Sequence, residues 1–332
     1  MTYRSQVVTV FGGSGFIGRH LIRKIAKHGA TVRIVSRHPG QGNYLRTAGS
    51  VGQIASLSAD VMDDESVARV IKGSDIVINL IGALFERGPW SFDAVHVEAP
   101  ARIARIAKAA GVQSFVHVSA LGADEGSKST YARSKAQGEK RVLEAFPEAV
   151  ILRPSVVFGP DDRFFNKFAA MAQVMPVLPL VGGGETKFQP VYVGDLAEAI
   201  IRALQVPEAK GKTFALGGPR VYSFREMMEL MLSEIRRKRR LWPVSWSLSE
   251  TLGRVFEKIP VITPLVTRDQ VELLKTDNVV PEDAPGFKEL GMTELTSCEV
   301  MLPTYLHRFI VGGRNATLTR DVSKFNKYPS AH

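Results

Sequence analysis

Three glycines at three-residue spacing, Gly12, Gly15 and Gly18 in VFGGSGFIG, fall between an apolar run and a stretch of helical periodicity. Few folds accommodate that arrangement. The first glycine permits a tight strand-to-helix turn, the second lets backbone approach a pyrophosphate, and the third lets the helix pack against the sheet. The N–H groups and positive dipole end of the following helix then face the anion. A glycine-rich turn without a ligand is the plainer alternative, but the strand–turn–helix setting favours a dinucleotide site.

The pattern around the loop repeats. VVTVFG (7–12) reads as a buried strand, followed by a helix with Ile17, Leu21, Ile22 and Ile25 on one face and Gly29 at its end. Further strands are expected at TVRIVSR, GQIASLSADV, DIVINLIG (75–82), SFVHVSALG and EAVILRPSVVFG. Helices are expected at DDESVARVIKGS, whose leading acids suit the helix dipole, and in one piece over AVHVEAPARIARIAKAAGV. Apolar strands alternating with helices imply an α/β, Rossmann-type doubly wound parallel sheet. We expect a nucleotide-binding domain at 1–157 and a smaller α+β substrate or docking domain at 158–311. Segments near 188–204 are expected to return to the first domain, and 312–332 to form a polar tail.

The second strand ends IVSRHP. Sites built for NAD usually carry an acid there for the adenosine ribose. Here the residues are Ser36 and Arg37, a hydroxyl and a guanidinium able to bind a 2′-phosphate, so the expected cofactor is NADP(H). The alternative is an Arg37 that points into water and selects nothing. Asp60 either accepts from the adenine amino group or caps the next helix. Gly82 lets backbone pass close to the dinucleotide, whereas Asn79 is assigned to the strand. The full set expected to face the cofactor is Gly12, Gly15, Phe16, Ile17, Gly18, Ser36, Arg37, Asp60, Val61, Leu80, Gly82, Lys135, Pro154 and Val157. No metal site is expected.

In STYARSKAQGEK, Tyr131 and Lys135 are four residues apart, on one face of a helix. A phenol titrates near 10, and a neighbouring ammonium favours its ionised form, which suits proton transfer. The same pair can equally grip a cofactor without turnover.

GGSGFIG, YARSK and LRPSVVFGP together resemble the extended and atypical short-chain dehydrogenase/reductase superfamily, over roughly residues 5–310. The resemblance implies catalytic roles for Ser119, Tyr131 and Lys135. Lysine would bind the nicotinamide ribose, tyrosine would exchange the proton, and serine would orient a carbonyl or alcohol. A narrower resemblance rests on TRDQVELLKTDNVV, GFKELGM and VMLPTYLHRF. These are similar to the accessory subunits of respiratory complex I in bacterial form. That subgroup implies tightly held NADPH without turnover, and complex I subunits of the peripheral arm as partners. It implies a peripheral place on the cytoplasmic face of the inner membrane, or the matrix side in a eukaryote. The other reading is a soluble NADP-dependent oxidoreductase, epimerase or dehydratase. A nucleotide-sugar version would need cations such as Arg202, Arg220 and Arg225 for a second diphosphate.

The formal charge is +10, and Cys298 is the single cysteine. One cysteine excludes an intrachain disulfide. The charge points to an anionic partner. No zinc-finger or RNA-binding aromatic motif is found, and nucleic acid is not an expected partner. The opening residues do not read as a signal peptide, and no apolar run reaches the roughly 18 residues of a bilayer span. EIRRKRRLWPVSW places Arg236, Arg237, Lys238, Arg239 and Arg240 before Trp242 and Trp246. An amphipathic helix should follow, with Leu248, Leu252, Val255, Phe256 and Ile259 inward. Such a segment (236–259) either meets anionic lipid headgroups or is a solvated charge run beside a packed helix.

Overall fold

In the computed structural model, residues 3, 5–257 and 267–312 are described. The strands are β1 (Val7–Phe11), β2 (Thr31–Ser36), β3 (Ile54–Ser58), β4 (Ile76–Asn79), β5 (Ser114–Val118) and β6 (Val150–Pro154). Four short strands follow, β7 (Val157–Phe158), β8 (Val177–Val181), β9 (Lys187–Phe188) and β10 (Val191–Tyr192), and then β11 (Thr213–Leu216). Seven of them form one sheet in the order β11-β6-β5-β4-β1-β2-β3, and every pairing in it is parallel. Val10 lies opposite Ile34 on one side and Ile78 on the other. The order reverses between β1 and β4, which opens a crevice at their carboxyl ends.

The continuous apolar strands follow from coverage on both faces. One face packs on α1 (Phe16–Lys27), where Leu21, Ile22 and Ile25 join Val8 and Val10 in a single cluster. The other carries α2 (Asp64–Ile71), α3 (Ala99–Ala109) and α4 (Thr130–Ala145), packed with Phe11, Val35 and Phe115. Asp63, not Asp60, caps α2: its carboxylate accepts from Ser66 N–H at 2.9 Å. The Asp60 carboxylate instead accepts from Met62 N–H at 2.9 Å in a local turn. The single helix expected after Trp90 opens with a π-helical segment, Asp93–Glu98, before α3. The strand expected at 148–159 breaks into β6 and β7 around Ser155.

Beyond β7 the chain builds a second core. It uses α5 (Phe165–Val174) and later α7 (Phe224–Glu234) and α10 (Cys298–Leu306), with Phe158, Phe165, Leu180, Met228 and Leu302 buried together. Between them, α6 (Val193–Gln205) crosses back and packs on α1, and β11 pairs with β6. Asp162 ties the second core together. Its buried carboxylate accepts from Gly159, Phe164 and Asn166 N–H and from the Tyr305 hydroxyl at 2.6 Å.

The remaining elements are β12 (Tyr222–Ser223), β13 (Arg240–Val244) paired with β8, α8 (Trp246–Glu257) and α9 (Arg268–Leu273). Leu248, expected to face inward on α8, is 52% exposed, which corrects that assignment. The inward positions expected at Leu252, Val255, Phe256 and Ile259 fall on side chains outside the described set. Among the described residues no helix is long and apolar enough to cross a membrane.

Gly138 sets how closely α4 meets the π-helical segment, because a Cβ there would lie 1.8 Å from the His96 carbonyl oxygen. Gly138→Ala should therefore lower stability by about 1–3 kcal/mol, the usual cost of overpacking, in urea unfolding. Gly40→Ala, where an added Cβ meets nothing within 4 Å, should not.

Candidate functional site

The glycine turn occupies the carboxyl end of β1. Gly12 has φ +74°, and a Cβ there would press on the Leu80 carbonyl at 3.2 Å, where β1 and β4 diverge. A Cβ on Gly18 would lie 2.3 Å from the Gly13 oxygen. Gly15 is the N-cap of α1, with no side-chain cap and no acid in the first turn, where Phe16, Ile17 and Gly18 follow. The first N–H groups of α1 are therefore left without an acid of the helix's own first turn to accept from them, an arrangement suited to a pyrophosphate.

At the carboxyl end of β2, Ser36 Oγ is buried without a hydrogen-bond partner, and Arg37 is exposed. The Arg37 guanidinium lies over the Trp90 ring, 4.3 Å from its centroid, and makes no ion pair among the described residues. Asp60 is exposed beyond β3, whereas Val61 is buried at 7%.

The third part of the site is a buried polar layer at the ends of β4, β5 and β6. Ser129 caps α4, its hydroxyl accepting from Ala132 N–H. Tyr131 and Lys135 then share one face of the helix. Lys135 is buried, makes no ion pair among the described residues, and brings its Nζ to 3.3 Å from where a Gly82 Cβ would sit. Burial lowers its ammonium to about 8, opposed by the Glu139 carboxylate. The Tyr131 ring is held edge-on by His96 and Phe92, at centroid separations of 5.2 and 5.7 Å. Burial raises its phenol to about 12, and Asp269 adds to the rise. In the protein alone, then, the phenolate expected from the Lys135 neighbour is disfavoured.

His96 was not apparent from the sequence. Its Nε2 accepts from Ala83 N–H at 3.0 Å, so its proton sits on Nδ1, which faces Ser134 Oγ at 2.9 Å. Ser134 in turn donates to the Tyr131 carbonyl. Burial, aided by Lys135 and His117, pushes His96 down to about 2, so it is neutral. His117, also missed, accepts from Asn79 at Nδ1, and its buried Nε2 has no partner. Burial, then Lys135, lowers it to about 3. Ser119 Oγ is likewise buried without a partner. Pro154 is buried at the end of β6, and Val157 is half-buried. Only the alternation of polar residues among apolar ones in VINLIG and SFVHVS hinted at Asn79 and His117.

Segments distant in sequence close over this layer. Asp269, on α9, accepts from Ser129 Oγ at 2.8 Å, Thr130 N–H at 2.7 Å and Tyr131 N–H at 3.1 Å. Gln270 Nε2 reaches the Leu84 carbonyl. Asn278 accepts from Ser155 Oγ at 2.6 Å and donates to the Leu121 carbonyl. The three arginines considered for a second diphosphate do not converge: Arg202 pairs with Glu198, Arg220 with Glu299, and Arg225 donates to the Gly183 carbonyl.

A glycine turn at the switch point of a parallel sheet, with a Tyr–Lys pair on the helix after β5, defines a dinucleotide-binding protein of the short-chain dehydrogenase type. The chain belongs to the NAD dependent epimerase/dehydratase family, whose model matches residues 8–217. It is 38% identical over 310 residues, 92% of this chain and 82% of the relative, to NADH dehydrogenase [ubiquinone] 1 alpha subcomplex subunit 9, mitochondrial, of Mus musculus. The protein of that name from Arabidopsis thaliana is 36% identical over 86% of this chain and 74% of its own. Among solved structures, dTDP-glucose 4,6-dehydratase from Streptomyces venezuelae, with NAD and TYD bound, superposes with TM-score 0.71. It is 20% identical and covers 94% of this chain and 98% of its own, a likeness of fold.

These residues fit a nicotinamide dinucleotide: a glycine turn that side chains would fill, two buried serine hydroxyls without protein partners, and a dehydrated ammonium with no ion pair among the described residues. When bound, the nicotinamide ring supplies hydride chemistry. This chain contributes the helix N–H groups after Gly15 and the buried Lys135 ammonium near Gly82 as groups able to meet the dinucleotide's phosphates and hydroxyls.

The buried neutral histidines carry a pH signature. The unfolded chain binds protons on His96 and His117 near pH 6.5, whereas the folded chain does so only near pH 2–3. Protonation therefore favours unfolding between these limits. Stability should fall as pH drops below about 6.5, by up to about 1.4 kcal/mol per pH unit for each histidine. The double variant His96→Gln, His117→Gln should flatten that slope in guanidinium unfolding at pH 7.5, 6 and 5.

Proposed function

We propose that this chain is an accessory subunit of respiratory complex I, the NADH:ubiquinone oxidoreductase, and that it holds NADP(H) as a structural ligand without turnover. The observation that carries the reading is the reach of the similarity. The match to the mouse subunit runs over 92% of this chain, whereas the family model ends at residue 217. At 38% identity that match reaches past residue 217 into the second core, whereas the dTDP-glucose dehydratase spans the same region at 20% identity, which supports a relation to the subunit beyond a shared fold.

In this reading, Gly12, Gly15, Phe16, Ile17 and Gly18 hold the pyrophosphate. Ser36 and Arg37 take the 2′-phosphate, and Asp60 and Val61 border the adenine. Leu80, Gly82, Pro154 and Val157 line the path to the nicotinamide, and Lys135 grips its ribose. Ser119 and Tyr131 border the ring, with the high phenol value of Tyr131 favouring a holding role over proton exchange. The partners are complex I subunits of the peripheral arm. The segment 236–259 adds contact with anionic lipid: Trp242 is 62% exposed beside the exposed Lys238 and Arg240. Basic side chains near such a surface contribute about 1 kcal/mol each. The protein then lies peripherally on the cytoplasmic or matrix face of the inner membrane. Nucleic acid has no part in it.

The complete Ser119–Tyr131–Lys135 set favours a second reading, a soluble NADP-dependent oxidoreductase. Arg202, Arg220 and Arg225, the cations considered for its nucleotide-sugar form, do not converge.

Solubilising membranes in mild detergent and isolating the tagged chain separates the two. The accessory reading predicts co-migration with complex I and about one NADP(H) per chain, unconsumed when carbonyl or alcohol substrates are added. Recovery as a free protein that turns over the dinucleotide would establish the second reading instead. Arg37→Asp should weaken NADP(H) binding by about tenfold or more, the worth of a charge-assisted phosphate contact, while sparing NAD(H) in calorimetry.

A further inference from the structure

Residues 86–92, which lead from the loop after β4 into the π-helical segment, play no part in the reading above, yet they are built with care. Arg87 and Trp90 form an antiparallel bridge, with Arg87 N–H donating to the Trp90 carbonyl at 3.2 Å and Trp90 N–H to the Arg87 carbonyl at 3.1 Å. Gly88, at φ +57°, makes the turn between them. The Glu86 carboxylate accepts from Phe92 N–H at 2.7 Å, which closes the loop onto the start of the following helix. The result is a Trp90 ring fixed against the hydrophobic cluster under β2 and β4, half-buried, with one face turned to Arg37.

An exposed arginine at a strand end loses side-chain entropy when it is ordered on a ligand. Stacking on an indole reduces that loss, because the ring engages the flat face of the guanidinium. The in-plane N–H donors stay free, and these are the ones that match phosphate oxygens. Nothing else among the described residues competes for them, since Arg37 makes no ion pair there. Its own carbonyl is tethered by Ser58 Oγ at 3.3 Å, and the buried Ser36 hydroxyl beside it has no partner.

We propose that Trp90 is a specificity-determining positioning residue. By stacking on Arg37 it holds the guanidinium edge toward a 2′-phosphate, so that the Arg37–Trp90 pair with Ser36 forms a preorganised phosphate subsite. The proposal rests on the NADP(H) reading of the site. It predicts a role in discrimination between NADP(H) and NAD(H), not in holding the dinucleotide as such.

Calorimetry on the full chain freed of nucleotide tests it, with NADPH and NADH as probes for the unmodified protein, Trp90→Ala, Trp90→Phe, Arg37→Ala and the double variant Arg37→Ala, Trp90→Ala. Trp90→Ala should cut the NADPH-to-NADH affinity ratio by about three- to tenfold, and Trp90→Phe should restore most of it. In the Arg37→Ala background, removing Trp90 should change the ratio no further, as a double-mutant cycle requires of a residue acting through its partner. Equal losses for both nucleotides, or an unchanged ratio, would overturn the role of Trp90. A lack of preference in the unmodified protein would instead overturn the NADP(H) reading beneath it, so the two failures are distinguishable.

Discussion

Close approach of one backbone to another is the constraint on which the rest of this molecule depends. At the carboxyl end of β1, Gly12 and Gly18 leave no room for a Cβ, so β4 and α1 come within contact of the turn. The same steric condition recurs 120 residues later. Gly138 brings α4 against the π-helical segment and so carries Tyr131 and Lys135 to the carboxyl ends of the strands. Both crossings face one crevice, where the sheet order reverses. Ligands gather at such switch points because two diverging loops leave space there and helix N-termini point into it.

The crevice floor is polar, and its economy is electrostatic. A buried ammonium without an ion pair is costly unless its surroundings supply acceptors. Lys135 sits beside two histidines that its own charge and burial keep neutral. Neutral His96 can then accept from backbone at one nitrogen and donate a hydrogen bond to Ser134 Oγ from the other, which fixes its tautomer and braces the Tyr131 backbone. Three of the five buried side-chain groups without protein partners among the described residues, Ser119, His117 Nε2 and Ser36, lie at or near the carboxyl ends of the strands. A polar layer so incompletely satisfied is what a bound dinucleotide completes.

The second core bears on whether this site reacts or only holds. Asp269 reaches across from α9 to the first turn of the very helix that carries Tyr131, and Asn278 bridges the loops after β5 and β6. A carboxylate at a helix N-terminus stabilises the helix. Here it also disfavours the phenolate.

The parallel sheet and the glycine turn were legible from the sequence because they follow from local rules: strand and helix periodicity, and the volume of a hydrogen atom against a methyl group. So were Asp63 and its neighbouring acids as a helix start, although the cap lies three residues beyond Asp60. The pairing of Tyr131 with Lys135 follows from helical spacing alone. What spacing could not reveal is contact between residues far apart in the chain. His96 meets Tyr131, Arg37 meets Trp90 and Asp269 meets Ser129 because packing of the two cores places them together. The outward turn of Leu248 has the same origin. Amphipathic spacing tells that a helix has two faces, but only its neighbours decide which one is buried.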